Sequence, residues 1–243
     1  MDEASQPHAG GWDRSAEAWI AQMGERGDFG RRFVLDAPML ARIRGHGFSR
    51  ALDVGCGEGR FCRMMQAEDI ATVGIDPTQA LLDRARLLDP RGDYRLDCAE
   101  RFDFGEGAFD LVVSYLTLVD IDNVETAISN MARALRPGGT LLVANLNGFN
   151  TAGMPGGWID CGGVARFAID EYLSERPVWV EWNGIRVRNW HRPMATYMRA
   201  FLKAGLILRD FDEPSPSGGE PEKAEHYRRV PYFHILEWAK PAV

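Results

Sequence analysis

Apolar positions along the chain follow two different periods. Near the start, Trp12, Ala16, Trp19, Ile20 and Met23 recur at helical spacing and make one apolar stripe. Phe33, Val34, Ala37, Leu40 and Ile43 make a second, which Pro38 breaks or restarts and Gly45 ends. From position 51 onward, short apolar runs alternate with amphipathic stretches. ALDV (51–54), ATVGI (71–75), residues 94–96, residues 109–114 and TLLVANL (140–146) read as strands. Helices are expected over 61–66, after Pro77, and over about 121–135. The last has Asp122 and Glu125 at capping-box spacing and Pro137-Gly138-Gly139 as its stop. Alternation of this kind predicts a parallel sheet covered by helices on both faces.

The alternation lapses between Gly148 and Arg192, a span far longer than the roughly 2–6 residues of a usual connection in an α/β unit. The insert, 149–192, therefore needs structure of its own. Its clearest signal is PVWVEW-NG-IRVRNW (177–190), two alternating runs around Asn183-Gly184, which predicts a two-residue hairpin turn. Pro193 suits the first turn of a further helix, with Met194, Tyr197, Met198, Phe201 and Leu202 as its buried stripe. LILRDF (206–211) and YFHILEW (232–238) read as the final strands, with a polar loop between them.

Charge narrows the partners. Among 243 residues, Lys and Arg number 28 against 35 Asp and Glu, a net charge of -7. That balance disfavours nucleic acid and anionic membranes, although a local basic groove stays open. No apolar run approaches the roughly 20 residues of a membrane helix, and the start lacks a secretory pattern, so a cytoplasmic location is expected. Cys56, Cys62, Cys98 and Cys161 show neither a CxxC pair nor zinc-finger spacing, and no metal site is expected. Asp120 and Asp122 read as helix caps.

Chemistry concentrates at LDVGCGEGR (52–60), a glycine-rich turn after the first sheet strand. Glycines there let the backbone pass close to a ligand and aim helix-terminal N–H groups at it. The spacing Gly55-x-Gly57-x-Gly59 differs from the GxGxxG of dinucleotide folds. Asp76 ends the second strand about 20 residues beyond the turn, where an acid can accept both ribose hydroxyls; a helix N-cap before Pro77 is the plainer role. Asp97 holds the corresponding place after the third strand, as an adenine contact or a surface cap.

Taken in order, LDVGCGEG, GID (74–76), DCAE (97–100), FDLVVSYLTLVDI (109–121) and LRPGG (135–139) resemble the class I methyltransferases that use S-adenosylmethionine. The resemblance covers roughly residues 45–240. It implies a Rossmann-like α/β fold, with a seven-stranded, mostly parallel sheet in the order 3-2-1-4-5-7-6 and an antiparallel last strand. It also implies an N-terminal helical lid over 1–45, and a methyltransferase domain over 46–243 that carries the insert as a hairpin lid before the last helix. By the same resemblance, the backbone of Gly55, Cys56 and Gly57 lies against the donor's methionine and ribose, and Asp53 orients its amino group. Asp76 holds the ribose, Asp97 and Cys98 meet the adenine, and Ser114 and Tyr115 border the transferred methyl. Two stretches, 11–40 and 189–206, resemble a bacterial small-molecule subgroup in which Trp12, Trp19 and Arg31 would close over the donor. For the two tryptophans, a buried stripe of the first helix is the competing role.

For the acceptor, the insert holds Trp158, Trp179, Trp182 and Trp190, more than half of the seven tryptophans. Such density suits a flat aromatic or heterocyclic molecule, or a small subdomain burying its own core. Tyr115, Asn145, Trp158, Trp182, Trp190 and His191 are the expected acceptor contacts. His191 also stands where the hairpin meets the next helix, as a base, an acceptor contact or a structural junction. The competing functions are an NAD-dependent oxidoreductase and a protein that binds the donor without catalysis. The oligomeric state, monomer or homodimer, is not read from the sequence.

Overall fold

The computed structural model of the chain describes residues 10–24, 26–153 and 156–242. Helix α1 (Trp12–Met23) is followed by one wide π turn (Arg31–Leu35) that runs into α2 (Asp36–Ala41). Pro38 lies where the π turn runs into α2 and supplies no N–H to that helix; the Phe33 carbonyl upstream accepts instead from the Ser217 N–H at 2.7 Å and hydroxyl at 3.0 Å. The sheet then builds through β1 (Arg50–Val54), α3 (Arg60–Gln66), β2 (Ala71–Asp76), α4 (Gln79–Leu88), β3 (Asp93–Leu96), β4 (Phe109–Tyr115), α5 (Val124–Ala134) and β5 (Leu135–Leu146). After α6 (Gly148–Ala152), β6 (Trp158–Asp160), β7 (Ala165–Phe167), β8 (Arg176–Trp182) and β9 (Ile185–His191) come α7 (Met194–Lys203), β10 (Ile207–Asp212), α8 (Pro221–Arg229) and β11 (Phe233–Ala239).

Seven strands make one sheet in the order β3-β2-β1-β4-β5-β11-β10. The first five are parallel, and β11 runs antiparallel to both neighbours. Successive residues feed opposite faces. Leu52, Val54, Val112, Leu141, Val143 and Trp238 pack under α5 and α7, whereas Ala51, Leu111, Val113 and Leu142 pack under α2 and α3. With both faces covered, every residue of β4 is buried. The fold expected from the alternation and from the resemblance is therefore present.

Three local expectations fail. Helix α5 is capped by Asn123, whose side chain accepts from the Thr126 N–H at 3.0 Å, not by Asp122. Asp122 instead receives the Trp190 indole N–H at 2.7 Å and the Arg188 guanidinium. The LRPGG stretch does not stop before the next strand: β5 starts at Leu135 opposite Phe109, bulges over 136–139, and resumes with Thr140 opposite Leu111. The polar loop between the final strands contains α8, so α7 is not the last helix.

The insert forms two antiparallel hairpins, β6–β7 and β8–β9. At the second turn Asn183 and Gly184 both have positive φ (45° and 82°), as a type I′ turn demands. Strand β9 docks on the segment after β4, 118–122. The Trp190 N–H donates to the Val119 carbonyl at 2.6 Å, and the Asn189 amide to Asp120 Oδ1 at 2.7 Å. Arg192, 2% exposed, donates to the carbonyls of Leu118, Ile121 and Asp122 at 3.3, 2.7 and 2.9 Å. The same strand carries α1: the Arg188 N–H reaches the Gly10 carbonyl at 2.9 Å, and Ser15 Oγ exchanges two 3.0 Å bonds with the Arg186 backbone. Helix α1 also packs on α4, so it bridges the hairpin and the sheet domain. Among the described residues no helix is long and apolar enough to cross a membrane.

Arg192 ties the insert to the sheet domain through buried bonds to three carbonyls. Arg192→Met should therefore lower unfolding stability by about 3 kcal/mol, because a charge-assisted donor is lost and the carbonyls stay buried. Urea denaturation measures this, and a change below about 1 kcal/mol would show that water replaces the guanidinium.

Candidate functional site

The carboxyl ends of the parallel strands open into one cavity of about 510 Å³, roofed by α1 and the edge of β9. Its floor is the turn after β1. Gly55, Gly57 and Gly59 all take positive φ (78°, 54° and 74°), a conformation that glycine adopts without a side-chain clash. The turn is fastened to the next strand, since the N–H groups of Gly55 and Cys56 donate to the Ile75 carbonyl at 2.8 and 2.9 Å. A Cβ on Gly55 would lie 2.2 Å from the Thr117 methyl.

Three carboxylates stand on adjacent strand tips around this turn. Asp53, on β1, is 1% exposed; one oxygen takes the Cys62 thiol at 3.4 Å and the other has no protein hydrogen-bond donor. Burial pushes Asp53 up to about 7. Asp76, at the end of β2, accepts the Gly57 N–H at 2.9 Å and the Thr78 N–H at 2.8 Å, so it does cap the turn before α4 while also facing the cavity. Asp97, just past β3, accepts the Cys98 N–H at 2.8 Å. An orphaned buried oxygen on Asp53 and a floor without side chains fit a polar ligand laid across the strand tips.

The N-terminal segment supplies the opposite wall. Trp12 and Trp19 meet edge to face with ring centroids 5.0 Å apart, and both line the cavity. The Arg31 guanidinium stacks on Trp19 at 4.8 Å and pairs with Asp28 at 2.9 Å. The Tyr115 hydroxyl donates to Asp36 at 2.8 Å, and Asp36 is also paired with Arg60. Burial, together with the Asp36 charge, holds the Tyr115 phenol well above its usual range, so it remains a neutral donor. Burial likewise pushes the Cys56 thiol up to about 11, which keeps it protonated and unreactive.

The cavity thus brings together Trp12, Trp19, Arg31, Asp53, Gly55, Cys56, Gly57, Asp76, Asp97, Cys98 and Tyr115. The other sequence candidates lie elsewhere. Ser114 and Asn145 are fully buried on the face under α7. Trp158 bonds the Tyr232 hydroxyl at 2.8 Å and stacks on His226 of α8. Trp190 serves Asp122, and Trp182 sits half-buried at the hairpin turn. His191 is fully buried: its Nε2–H donates to the Tyr172 carbonyl at 3.0 Å, and its Nδ1 accepts from the Thr151 hydroxyl at 2.8 Å. Burial lowers its basicity further, so His191 stands as a neutral junction residue, not as a base facing the cavity. Aromatic lining accordingly comes from Trp12 and Trp19 of α1, Phe61 of α3 and Tyr115 of β4, while the insert contributes Arg188.

Asp120 and Asp122 also line the cavity, and cap reasoning missed both. The signal available for Asp120 was its place between Val119 and Ile121, both buried.

A methyltransferase-domain model matches residues 52–143, the stretch from β1 to β5 that builds the cavity floor. Ubiquinone biosynthesis O-methyltransferase from Bradyrhizobium sp. is 31% identical over 121 residues, covering 48% of this chain and 46% of that protein. Malonyl-[acyl-carrier protein] O-methyltransferase from Enterobacter lignolyticus is 31% identical over 108 residues, covering 44% and 43%. The chain thus spans about half the length of the curated relatives it matches. The crystal structure of an S-adenosylmethionine-dependent methyltransferase from Mesorhizobium loti superposes with a TM-score of 0.78 at 25% identity, covering 89% of this chain and all of that one.

Because Gly55 combines positive φ with the close approach to Thr117, Gly55→Ala should cost at least about 2 kcal/mol of stability. It should also abolish ligand binding at the turn. Thermal unfolding and calorimetry test both; a variant with wild-type melting and binding would remove the turn from the site.

Proposed function

We propose that this chain, which belongs to the S-adenosylmethionine-dependent methyltransferase family, transfers a methyl group from that donor to a small aromatic or heterocyclic acceptor. One observation carries the reading: Asp53, Asp76 and Asp97 stand on three adjacent strand tips around the glycine turn and face one cavity. In this reading Asp76 takes the ribose hydroxyls, Asp97 and the Cys98 backbone meet the adenine, and the unpartnered oxygen of Asp53 faces the amino group. When bound, the donor supplies a sulfonium-activated methyl. The chain's own work is alignment and exclusion of water, and alignment alone is worth roughly 7–11 kcal/mol of barrier. Trp12, Trp19 and Tyr115 form the aromatic wall against which a flat acceptor would lie.

Calorimetry with S-adenosylhomocysteine, the demethylated donor, tests the placement. Wild type should bind it and ignore NADH, and Asp76→Ala should weaken binding by roughly 2–3 kcal/mol through lost hydrogen bonds. Tight NADH binding with no S-adenosylhomocysteine binding would move the chain to the oxidoreductases. Transfer of labelled methyl to a panel of phenols and azoles then separates an enzyme from a protein that only binds the donor.

Asp53 adds a pH dependence. Its carboxyl titrates near 7, so it is charged above that value and neutral below it. Affinity for the ammonium-bearing ligand should therefore fall several-fold as pH drops from about 8 to about 6. A flat profile would place the amino group away from Asp53.

A further inference from the structure

Asp120 lines the cavity apart from the three strand tips, on the segment between β4 and α5. It projects from a run whose neighbours Leu118, Val119 and Ile121 are all buried. Two elements of the roof act on it: the Asn189 amide of β9 donates to Oδ1 at 2.7 Å, and the nearby Trp12 indole of α1 also favours its charged form. A carboxylate offers about four lone-pair positions, so these leave it able to accept another donor from the cavity. The surrounding cations are engaged elsewhere. Arg188 pairs with Asp122, Arg192 spans three carbonyls, and Arg31 pairs with Asp28.

Neighbouring groups have other commitments. The Tyr115 hydroxyl bonds Asp36, His191 faces away with both ring nitrogens bonded, Asp122 holds Arg188 and Trp190, Asp76 holds the Gly57 and Thr78 N–H groups, and Asp53 faces the donor's amino group in the reading above. We propose that Asp120 is a catalytic base, accepting the proton from a hydroxyl or ring N–H of the acceptor as the methyl group arrives. This assignment rests on the methyl-transfer reading above.

The step balances. The bond between sulfur and methyl breaks with its electron pair going to sulfur, and a bond from the acceptor's oxygen or nitrogen to that methyl forms. The acceptor's proton passes to the Asp120 carboxylate and later to solvent. One positive charge and one negative charge vanish together, which a partly desolvated cavity favours over any separation of charge. The matching acceptor class is a weakly acidic X–H, a phenol or an azole, neutral before transfer.

The electrostatic setting agrees. Burial pushes the Asp120 carboxyl up to about 7, Trp12 and Asn189 hold it down, Asp76 across the cavity raises it and Arg31 lowers it. Tyr197 of α7, whose phenol is kept protonated chiefly by burial, also feels the Asp120 charge. A base titrating near neutral pH is well matched to a weak acid.

The test follows that proton. Infrared spectroscopy with bound S-adenosylhomocysteine, across about pH 5 to 9, should show a protonated-carboxyl band that disappears with a midpoint near 7 in wild type and is missing in Asp120→Asn, whereas any band from Asp53 survives that substitution and is removed by Asp53→Asn. That variant should bind S-adenosylhomocysteine within about threefold of wild type. On the panel's active acceptor it should lose roughly 100-fold or more in turnover, together with the pH limb near 7. Asn189→Ala, which removes a bond favouring the charged form, should move both the band and the limb upward. The assignment is overturned if no band titrating between roughly 6 and 8 is removed by Asp120→Asn, or if that variant turns over at the wild-type rate. Failure of wild type itself to bind S-adenosylhomocysteine would defeat the methyl-transfer reading and this assignment with it. Normal binding without the titrating band would defeat this assignment alone.

Discussion

At Gly55 the chain leaves β1 with a φ of 78° and passes Thr117 so closely that no Cβ fits between them. The remaining geometry of the cavity floor depends on that approach. Two N–H groups of the turn bond the Ile75 carbonyl, and a third, from Gly57, bonds the Asp76 carboxylate. The glycine turn and the acid on the neighbouring strand are thus set in register by hydrogen bonds between them. Asp53, held one strand over in parallel register opposite Gly74, completes the arrangement. Parallel pairing supplies the tips; the turn supplies the room between them.

The roof obeys a second constraint, which links the two ends of the sequence. Along its edge away from β8, strand β9 is bonded both to the segment after β4 and to the start of the chain around α1. Hairpin and N-terminal helix therefore form one covering layer. An insert that chose the acceptor without touching the donor side would be simpler, but Arg188 of β9 and Trp12 of α1 reach the same cavity. Changes in the hairpin should be felt at both ends of that cavity.

Most of this frame was legible in the sequence because it rests on local signals. Strand runs such as FDLVVSY and the left-handed turn at Asn183-Gly184 are dictated by burial and by backbone sterics. The glycine turn and the acids on the strand tips belong to the same category. What escaped has weak local signals. Strands β6 and β7 are three residues each, too short for alternation to register. Helix α8 buries only Ala224, so its sequence reads as polar loop. Asp120 and Asp122 resembled caps because they precede a helix, but Asn123 took that role, and the bonds that claim both acids come from residues some 70 positions away. His191 had the right chemistry for a base, and tertiary contacts with Thr151 and Tyr172 consumed it.

A donor held between the strand tips would lie under a roof made jointly of α1 and β9. Hydrogen exchange read by mass spectrometry, with and without saturating S-adenosylhomocysteine, tests it directly. The amides of α1 and of β9 should slow together with those of the turn at 55–59. Protection confined to the turn, with α1 and β9 exchanging as in the free protein, would contradict a shared roof over the donor.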